Sequence, residues 1–305
     1  MRVLVVGYGS IGARHARLLE GMGLEVAIVS RRPETPGRRF DDLDRALDDW
    51  RPSYVVIASR TSEHASGLQK LAARDFSGWV LVEKPLLKHV HDLPAQVPYR
   101  LHVGYHLRFH PAIVAMRQAL AKTQVFAVHA YVGQYLPDWR SETDYRHGYS
   151  AHADQGGGAL RDLSHELDYL NWMLGGWTGL TARGGHYSDL DIDSDDVFAL
   201  IVATRRCPLA TITMNYLDRV ATRFVVAHTA TGSLRCDLIA WTLESSSRPE
   251  PEKFVGTADD LYLAEHRAVL ADDPGFLCTA TEGLDVMAMI DAAERSHETG
   301  RWISR

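Results

Sequence analysis

Three glycines near the amino terminus constrain the fold of this chain more than any other feature. Gly7, Gly9 and Gly12 follow an apolar run at residues 3–6 and precede a helix-like stretch at residues 13–22. Strand, tight turn and helix in this order are typical of a dinucleotide-binding crossover, in which the glycines permit the turn, the approach of a pyrophosphate and close helix packing. An ordinary glycine turn in an α/β protein is the alternative. The residues assigned to this cofactor loop are Gly7, Tyr8, Gly9, Ser10, Ile11 and Gly12.

The end of the second predicted strand, at residues 25–29, indicates which dinucleotide binds. An acidic residue there would accept a hydrogen bond from the ribose 2′-hydroxyl of NAD. The chain instead has Ser30, Arg31 and Arg32, a hydroxyl and two guanidiniums that suit a 2′-phosphate. We therefore predict that NADP(H) is preferred over NAD(H), with two arginines of a solvated loop as the alternative.

Short apolar strands alternate with helical segments from residue 1 to about residue 104, which predicts a doubly wound parallel sheet. Further strands are predicted at residues 54–58, 79–82 and 100–103. Thr61 or Ser62 is expected to cap the helix after the first of them. Ligands of such sheets bind beyond the carboxyl ends of the strands. The residues at these ends that we assign to the cofactor site are Ser59, Thr61, His64, Glu83, Lys84 and Pro85.

The composition fits a globular enzyme of two domains, since the 305 residues are 46% hydrophobic and carry a formal net charge of −6. No apolar run approaches the length of a membrane span, and the chain opens directly into a strand. We therefore expect no membrane contact and a cytoplasmic location. The acidic balance gives no support for nucleic-acid binding. Cys207, Cys236 and Cys278 are too widely separated for a disulfide framework or a thiolate metal site.

Several motifs together resemble the glucose-fructose oxidoreductase, inositol dehydrogenase and rhizopine-catabolism family, usually called Gfo/Idh/MocA, over nearly the whole chain. They are the glycine motif, the turn from Thr61 to His64, Glu83-Lys84-Pro85, the segment at residues 104–111, and Gly156-Gly157-Gly158 leading to Asp162 and His165.

The resemblance implies an α/β protein with two domains. The first, at residues 1–104, would be an NADP-binding Rossmann domain with a doubly wound parallel sheet. The second, at residues 105–305, would be an α+β domain with a large open, mostly antiparallel sheet, which often builds homodimers or homotetramers. Its C-terminal helix, at residues 281–299, would be able to pack back on the first domain. Prolines between residues 86 and 98 make a long helix there unlikely to form, so the first domain is expected to be trimmed.

Hydride transfer at a carbon bearing oxygen requires a matching proton transfer at that oxygen. Lys84 and His165 are the candidate carriers. Residues 159–174 are predicted to form one helix on which Asp162 shares a face with His165 and supports its charged form. In sugar and inositol dehydrogenases of the family the aspartate lies four residues before the histidine, whereas here it lies three before, so Asp168 is an alternative partner. A surface lysine paired with Glu83 and a structural histidine are the competing interpretations, and no ligand set supports a metal site.

Substrate contacts are expected from the polar and aromatic segment at residues 134–152. Trp139 and Tyr149 can stack on a sugar or base, while Arg140, and also Arg146 and Arg161, can hold a carboxylate or phosphate. A salt-bridged surface is the alternative for these arginines. Arg108, Asp162 and His165 complete the predicted substrate site.

The leading hypothesis is an NADP(H)-dependent oxidoreductase acting on an alcohol or ketone of a small-molecule sugar, cyclitol or nucleotide-linked sugar. The segment at residues 134–170 also resembles the branch of the family associated with bacterial surface-sugar biosynthesis. An imine or biliverdin-type reductase uses the same cofactor domain, and a non-catalytic NADP-binding sensor is the alternative from another class.

Overall fold

The computed structural model describes residues 1–139 and 144–305, and these form two compact units. The first unit contains Met1–His106 and Thr257–Leu284, and the second contains Leu107–Gly256 and Asp285–Arg305. Residues 257–284, which the sequence analysis assigned to the second domain, thus pack within the first unit. The predicted domain boundary at residue 104 stays a prediction.

The described residues form sixteen strands and eight α-helices. The strands are β1 (Arg2–Val6), β2 (Glu25–Val29), β3 (Arg38–Phe40), β4 (Tyr54–Ile57), β5 (Trp79–Val82), β6 (Arg100–Val103), β7 (Val125–Gly133), β8 (Trp177–Gly185), β9 (Val197–Thr204), β10 (Leu209–Asn215), β11 (Thr222–Thr229), β12 (Gly232–Asp237), β13 (Thr242–Ser245), β14 (Glu252–Lys253), β15 (Cys278–Thr279) and β16 (Ile303–Ser304). The helices are α1 (Ser10–Gly21), α2 (Leu43–Trp50), α3 (Thr61–Ala73), α4 (Pro111–Leu120), α5 (Ala159–Asp162), α6 (His165–Met173), α7 (Ala258–Leu270) and α8 (Ala280–Thr299).

The first unit is built on a seven-stranded sheet with the order β15-β6-β5-β4-β1-β2-β3. All neighbouring strands are parallel except β15, which is antiparallel to β6. The order β3-β2-β1-β4-β5-β6 is that of doubly wound dinucleotide-binding sheets. The Rossmann-type sheet predicted from the sequence is therefore confirmed, and the carboxyl ends of β1, β4 and β5 lie along one edge.

The turn between β1 and α1 depends on two glycines. Gly7 has a φ of +98°, which an L side chain rarely adopts, and its N–H donates to the carbonyl oxygen of Val29 over 2.9 Å. A Cβ atom on Gly12 would collide with the carbonyl oxygen of Gly7. The missing side chain therefore lets α1 pack directly against the turn, as the sequence predicted.

The second unit is built on a nine-stranded sheet with the order β14-β13-β12-β11-β7-β10-β9-β8-β16. Only the pair of β7 and β10 is parallel among the described residues, so the largely antiparallel sheet is confirmed. One face is buried through alternate residues such as Val128, Leu200 and Ile212. The opposite face leaves Ile201 and Leu209 exposed.

The chain turns at residues 238–241, where Trp241 has a φ of +55°, and this turn separates β12 from β13. Two local predictions differ from the structure. The N-cap of α3 is Arg60, and neither Thr61 nor Ser62 caps it because the helix already begins at Thr61. The helix predicted at residues 159–174 is divided into α5 and α6.

The segment between β5 and β6 contains no α-helix and has only a short 3-10 turn at Val90–Asp92, in agreement with its prolines. None of the helices within the described ranges 1–139 and 144–305 has the length and apolar character needed to cross a membrane.

Replacing Gly12 by alanine should lower the free energy of unfolding by about 1–3 kcal/mol, because the new methyl group overpacks the backbone of Gly7. Gly21→Ala at the other end of α1 is the matched control, since no atom lies within 4 Å of the added Cβ. That variant should be as stable as the wild type or more stable by about 0.5 kcal/mol. Urea unfolding measures both, and equal stabilities of the two variants would contradict the packing argument.

Candidate active site

The glycine turn leaves room for a ligand at the start of α1. Gly9, the N-cap residue, has a φ of −84° and a ψ of −169°, and no atom lies within 4 Å of a Cβ built on it. No side chain caps α1, and its first turn contains no acidic residue. No neighbour of Gly9 in the described part of the chain requires it to lack a side chain, so the open backbone and the helix N-terminus fit a pyrophosphate.

Ser30, Arg31 and Arg32 lie directly after β2. The Ser30 hydroxyl is buried and accepts hydrogen bonds from the Arg32 N–H over 3.1 Å and from the Thr35 hydroxyl over 2.9 Å. The Arg32 guanidinium donates to the carbonyl oxygen of Tyr8 over 3.2 Å, which joins this corner to the glycine turn. Arg31 is exposed and forms no ion pair with any residue that the structure describes. Ser30 thus organises a loop that places the Arg32 guanidinium against the glycine turn and leaves Arg31 exposed next to it in the chain.

His64 joins the segments that follow β4 and β5. It is buried, as is Thr61, and its ring nitrogens lie 3.2 Å from the carbonyl oxygens of Ser59, Pro85 and Leu86. Burial lowers the pKa of His64, although these carbonyl groups oppose the shift. The imidazole therefore lies between two loops of the carboxyl edge, and in its neutral form it can donate to only one of them.

Glu83 and Lys84 differ in their environments. Glu83 is 6% exposed; its Oε1 lies 2.9 Å from Nε2 of His15, and its Oε2 accepts the N–H of Lys84 over 3.2 Å. Burial raises the pKa of Glu83, but the hydrogen bond and charge of His15, with the charges of His106 and Lys84, outweigh it and lower the pKa. Lys84 is half-buried, and its peptide bond to Pro85 is cis.

In the second unit, Asp162 ends α5 and His165 begins α6. Between the two helices the N–H of Ser164 donates to the carbonyl oxygen of Arg161 and that of Glu166 to Leu163, each over 3.4 Å. These bonds to the third preceding residue are those of a 3-10 turn, in which side chains three apart eclipse. Asp162 and His165 therefore project from the same side of the chain, and both are buried.

Buried hydroxyls hold the Asp162 carboxylate. Its Oδ2 accepts hydrogen bonds from the Ser150 hydroxyl over 2.5 Å and from the Tyr216 hydroxyl over 2.7 Å. Burial and the charge of Asp162 raise the pKa of Tyr216 well above its ordinary value, so Tyr216 stays a donor. Asp168 is held separately, by a bidentate ion pair in which Arg108 donates from Nη2 over 2.7 Å and from Nε over 2.9 Å.

The predicted substrate residues have different settings. Arg108 is 2% exposed and is engaged by Asp168, and Trp139 lies half-buried with its ring 5.8 Å from that of Tyr216. Tyr149 is half-buried, and Arg140 lies outside the described residues. Arg146 forms a bidentate ion pair with Asp144, and Arg161 donates to Glu294 over 2.7 Å.

Sequence analysis missed Ser150, Tyr216, His15 and His266 because their partners lie on other elements, from 12 to 251 residues away along the chain. A sequence signal existed for the two histidines, each of which is a polar residue on the buried stripe of its helix, α1 or α7. Within residues 1–139 and 144–305, no group of three or more histidine, cysteine, aspartate or glutamate side chains is arranged to hold a metal ion.

The strand order, the glycine turn and the residues beyond β4 and β5 define a Rossmann-type dinucleotide-binding protein. Comparison with protein families gives the same assignment. Residues 1–98 match the oxidoreductase family with an NAD-binding Rossmann fold, GFO_IDH_MocA, and residues 113–235 match the GFO/IDH/MocA C-terminal domain. The chain belongs to the Gfo/Idh/MocA family, and it is an NAD(P)-dependent oxidoreductase.

Solved structures share this fold along the whole chain. The WlbA dehydrogenase from Bordetella pertussis, in complex with NADH and UDP-GlcNAcA, is 19% identical with a TM-score of 0.84, covering 100% of this chain and 97% of that one. A levoglucosan dehydrogenase in complex with NADH is 14% identical with a TM-score of 0.86, covering 100% and 98%. An oxidoreductase from Agrobacterium radiobacter in complex with NAD+, L-tartaric acid and magnesium is 19% identical with a TM-score of 0.82, covering 100% and 98%. No curated protein matches the chain.

Replacing Gly9 by alanine should preserve folding and weaken dinucleotide binding. The backbone angles of Gly9 are accessible to alanine and the Cβ meets no protein atom, so the free energy of unfolding should change by less than about 0.5 kcal/mol. The methyl group would occupy the space of a pyrophosphate, so the dissociation constant should rise at least ~10-fold. Fluorescence titration with NADPH and NADH measures it, with Gly21→Ala as control. Unchanged affinity would contradict this role of Gly9.

Proposed function

We propose that this chain is an NADP(H)-dependent oxidoreductase that interconverts an alcohol and a ketone on a sugar, cyclitol or nucleotide-linked sugar. One observation carries the proposal. Lys84 is the second residue after the carboxyl end of β5, on the same sheet edge as the glycine turn after β1, with only β4 between the two strands. Neighbouring strands lie about 4.8 Å apart, so two strand spacings separate the end of β5 from the glycine turn after β1. A nicotinamide whose pyrophosphate binds at that turn would come within reach of the Lys84 side chain.

The bound cofactor would supply or accept the hydride, and the side chains must then move the proton of the substrate oxygen. We assign this proton transfer to Lys84 and His165, whose side chains carry exchangeable protons. The Asp162 carboxylate, fixed by Ser150 and Tyr216, would support the charged imidazolium. His165 lies on α6, which also carries Asp168, so the ion pair from Arg108 to Asp168 steadies its helix.

We place the substrate near Tyr149 and Trp139, whose half-buried rings suit contact with a sugar. A contact from Arg140 stays a prediction from the sequence. The solved structures in complex with UDP-GlcNAcA and with levoglucosan make these two compounds the first to test. A role in surface-sugar biosynthesis rests on the resemblance of residues 134–170.

A homodimer or homotetramer is supported by the open face of the nine-stranded sheet. The residues on this face include Ile201 and Leu209, which are exposed in the single chain and lie beside Thr211 and Ala127 in register. A second copy would bury this apolar surface. The cytoplasmic location stays a prediction from the sequence.

The preference for NADP(H) is supported by charge at the end of β2. No carboxylate occupies residues 30–32, and the guanidinium of Arg32 lies against the glycine turn through Tyr8. Arginines grip a phosphate with forked, charge-assisted hydrogen bonds, whereas a ribose 2′-hydroxyl offers them no negative charge.

Replacing Lys84 by alanine should lower kcat about 100-fold or more, because general acid–base catalysis contributes ~10² to 10⁴. The dissociation constant of NADPH should change less than about threefold, since the glycine turn is retained. Turnover is followed by NADPH absorbance with UDP-GlcNAcA, levoglucosan and a panel of sugars and cyclitols. Lys122→Ala, at an exposed lysine, is the control. Full turnover of Lys84→Ala would reject the assignment, and absence of turnover in the wild type across the panel would favour a sensor.

Replacing Arg31 and Arg32 together by alanine should raise the dissociation constant of NADPH about 10- to 100-fold and leave that of NADH within about twofold. Hydrogen bonds to a charged group contribute about 1.5–3 kcal/mol, which converts to this change. Arg17→Ala, at an exposed arginine of α1, controls for the general loss of positive charge. Tighter binding of NADH than NADPH by the wild type would overturn the proposed preference.

A further inference from the structure

Four buried side chains of the first unit form one hydrogen-bonded chain. The Tyr54 hydroxyl on β4 lies 2.8 Å from Nδ1 of His266 on α7, and Nε2 of His266 lies 2.9 Å from Nδ1 of His15 on α1. Nε2 of His15 lies 2.9 Å from Oε1 of Glu83, the residue before Lys84. The two histidines and Tyr54 are fully buried. Two helices and two strands therefore converge on a single polar line that ends beside Lys84.

The carboxylate at one end sets the direction of the hydrogen bond next to it. A carboxylate only accepts, so Nε2 of His15 donates to Glu83. Burial and the neighbouring His15 lower the pKa of His266 well below its ordinary value, so the ring of His266 carries a single N–H, which lies toward either His15 or Tyr54. In both arrangements every nitrogen of the two rings has a partner.

Protonation of Glu83 would remove its negative charge and would place a hydroxyl proton in the bond that the N–H of His15 now occupies. One of the two protons would then have to leave this bond, so the ionised carboxylate and the His15 donor support each other. A buried carboxylate that lost the His15 donor would face the full cost of desolvation and would take up a proton.

The charge of Glu83 acts on a small set of surrounding groups. The titratable groups that face it, beside its neighbour Lys84, come from α1, α3, β4, α7 and the segment after β6. They are His15, His64, Tyr54, Tyr262 and His106. Arg14, Glu265 and His266 act on these neighbours of Glu83 in turn. The Lys84 N–H also donates to Glu83 Oε2. The carboxylate thus contacts the backbone of Lys84 and lies within range of its ammonium charge.

We propose that His15 is a positioning residue for Lys84: by donating to Glu83 it keeps a negative charge and a fixed acceptor directly beside the proton-carrying lysine. His266 and Tyr54 complete the arrangement by giving Nδ1 of His15 a buried hydrogen-bonding partner. The inference rests on the proposed function of Lys84 and adds to it three residues that never touch the substrate.

The first arm of the test needs no turnover and probes the charge of Glu83. Infrared difference spectra of His15→Leu against the wild type at neutral pH should show the stretching band of a protonated carboxyl group. The band should be missing in the double variant that also carries Glu83→Gln. In His15→Gln, the amide N–H replaces the donor and the band should be absent. Absence of the band in His15→Leu would overturn the link between His15 and Glu83.

The second arm measures the dependence of kcat on pH. One limb of the profile of kcat against pH should disappear in Lys84→Ala. In His15→Leu the same limb should shift to lower pH by about one unit, because an ammonium without a nearby negative charge loses its proton more readily. Glu83→Gln should give the same shift, and the double variant should add nothing further. His15→Gln should restore the wild-type limb. His102→Gln, on β6 of the same sheet, is the control and should leave the limb unchanged.

The two arms separate the failure of this inference from that of the proposed function. Full turnover of Lys84→Ala would reject the function of Lys84 and leave the infrared result standing. If Lys84→Ala loses turnover but the limb of the pH profile does not move in His15→Leu and Glu83→Gln, only the positioning role is rejected. If His15→Leu does not fold, Glu83→Gln tests the proposal alone, because it preserves the side-chain volume and still accepts a hydrogen bond from His15. An unchanged limb of the pH profile in that variant would overturn the positioning role.

Discussion

The contact of Gly12 with the carbonyl oxygen of Gly7 is the constraint on which the first unit depends. It fixes how closely α1 approaches β1. The position of α1 in turn decides which groups lie near its first turn and which side chains its second turn contacts. The first turn presents free N–H groups beside Gly9, and the next places His15 against Glu83. One helix therefore supports an anion at its end and a buried carboxylate along its side.

Buried carboxylates in both units are stabilised by fixed donors, because an unpaired buried charge costs several kcal/mol. In the second unit α6 carries Glu166 and Asp168, and these pair bidentately with Arg223 and Arg108. Each arginine lies outside α6 and ties the helix to its surroundings. His165, in the first turn of the same helix, is consequently carried by a rigid element, which suits a residue that must meet its substrate at a defined position.

Local patterns predicted the first unit well because its signals lie within a few residues of each other. The strand before Gly7 and the strand before Glu83 fell where apolar runs indicated. No local pattern indicated that residues 257–284 pack in the first unit. β15 pairs with β6, which lies far away along the chain, and hydrophobic periodicity carries no information on such a pairing. The partners of Asp162 were missed for the same reason. His15 was accessible in principle, because a polar residue on an apolar helical stripe implies a buried partner.

The break between α5 and α6 bears on the unusual spacing of Asp162 and His165. In a regular α-helix, residues four apart are offset by about 40° and residues three apart by about 60°. In a 3-10 turn, residues three apart are offset by about 0°. The tightened turn at residues 163–166 therefore returns the aspartate to the side of the histidine that a spacing of four would give it on a regular helix. A spacing of three thus keeps the two side chains on one side in this chain because the turn between them is tightened, so a residue count is informative only together with the backbone that carries it.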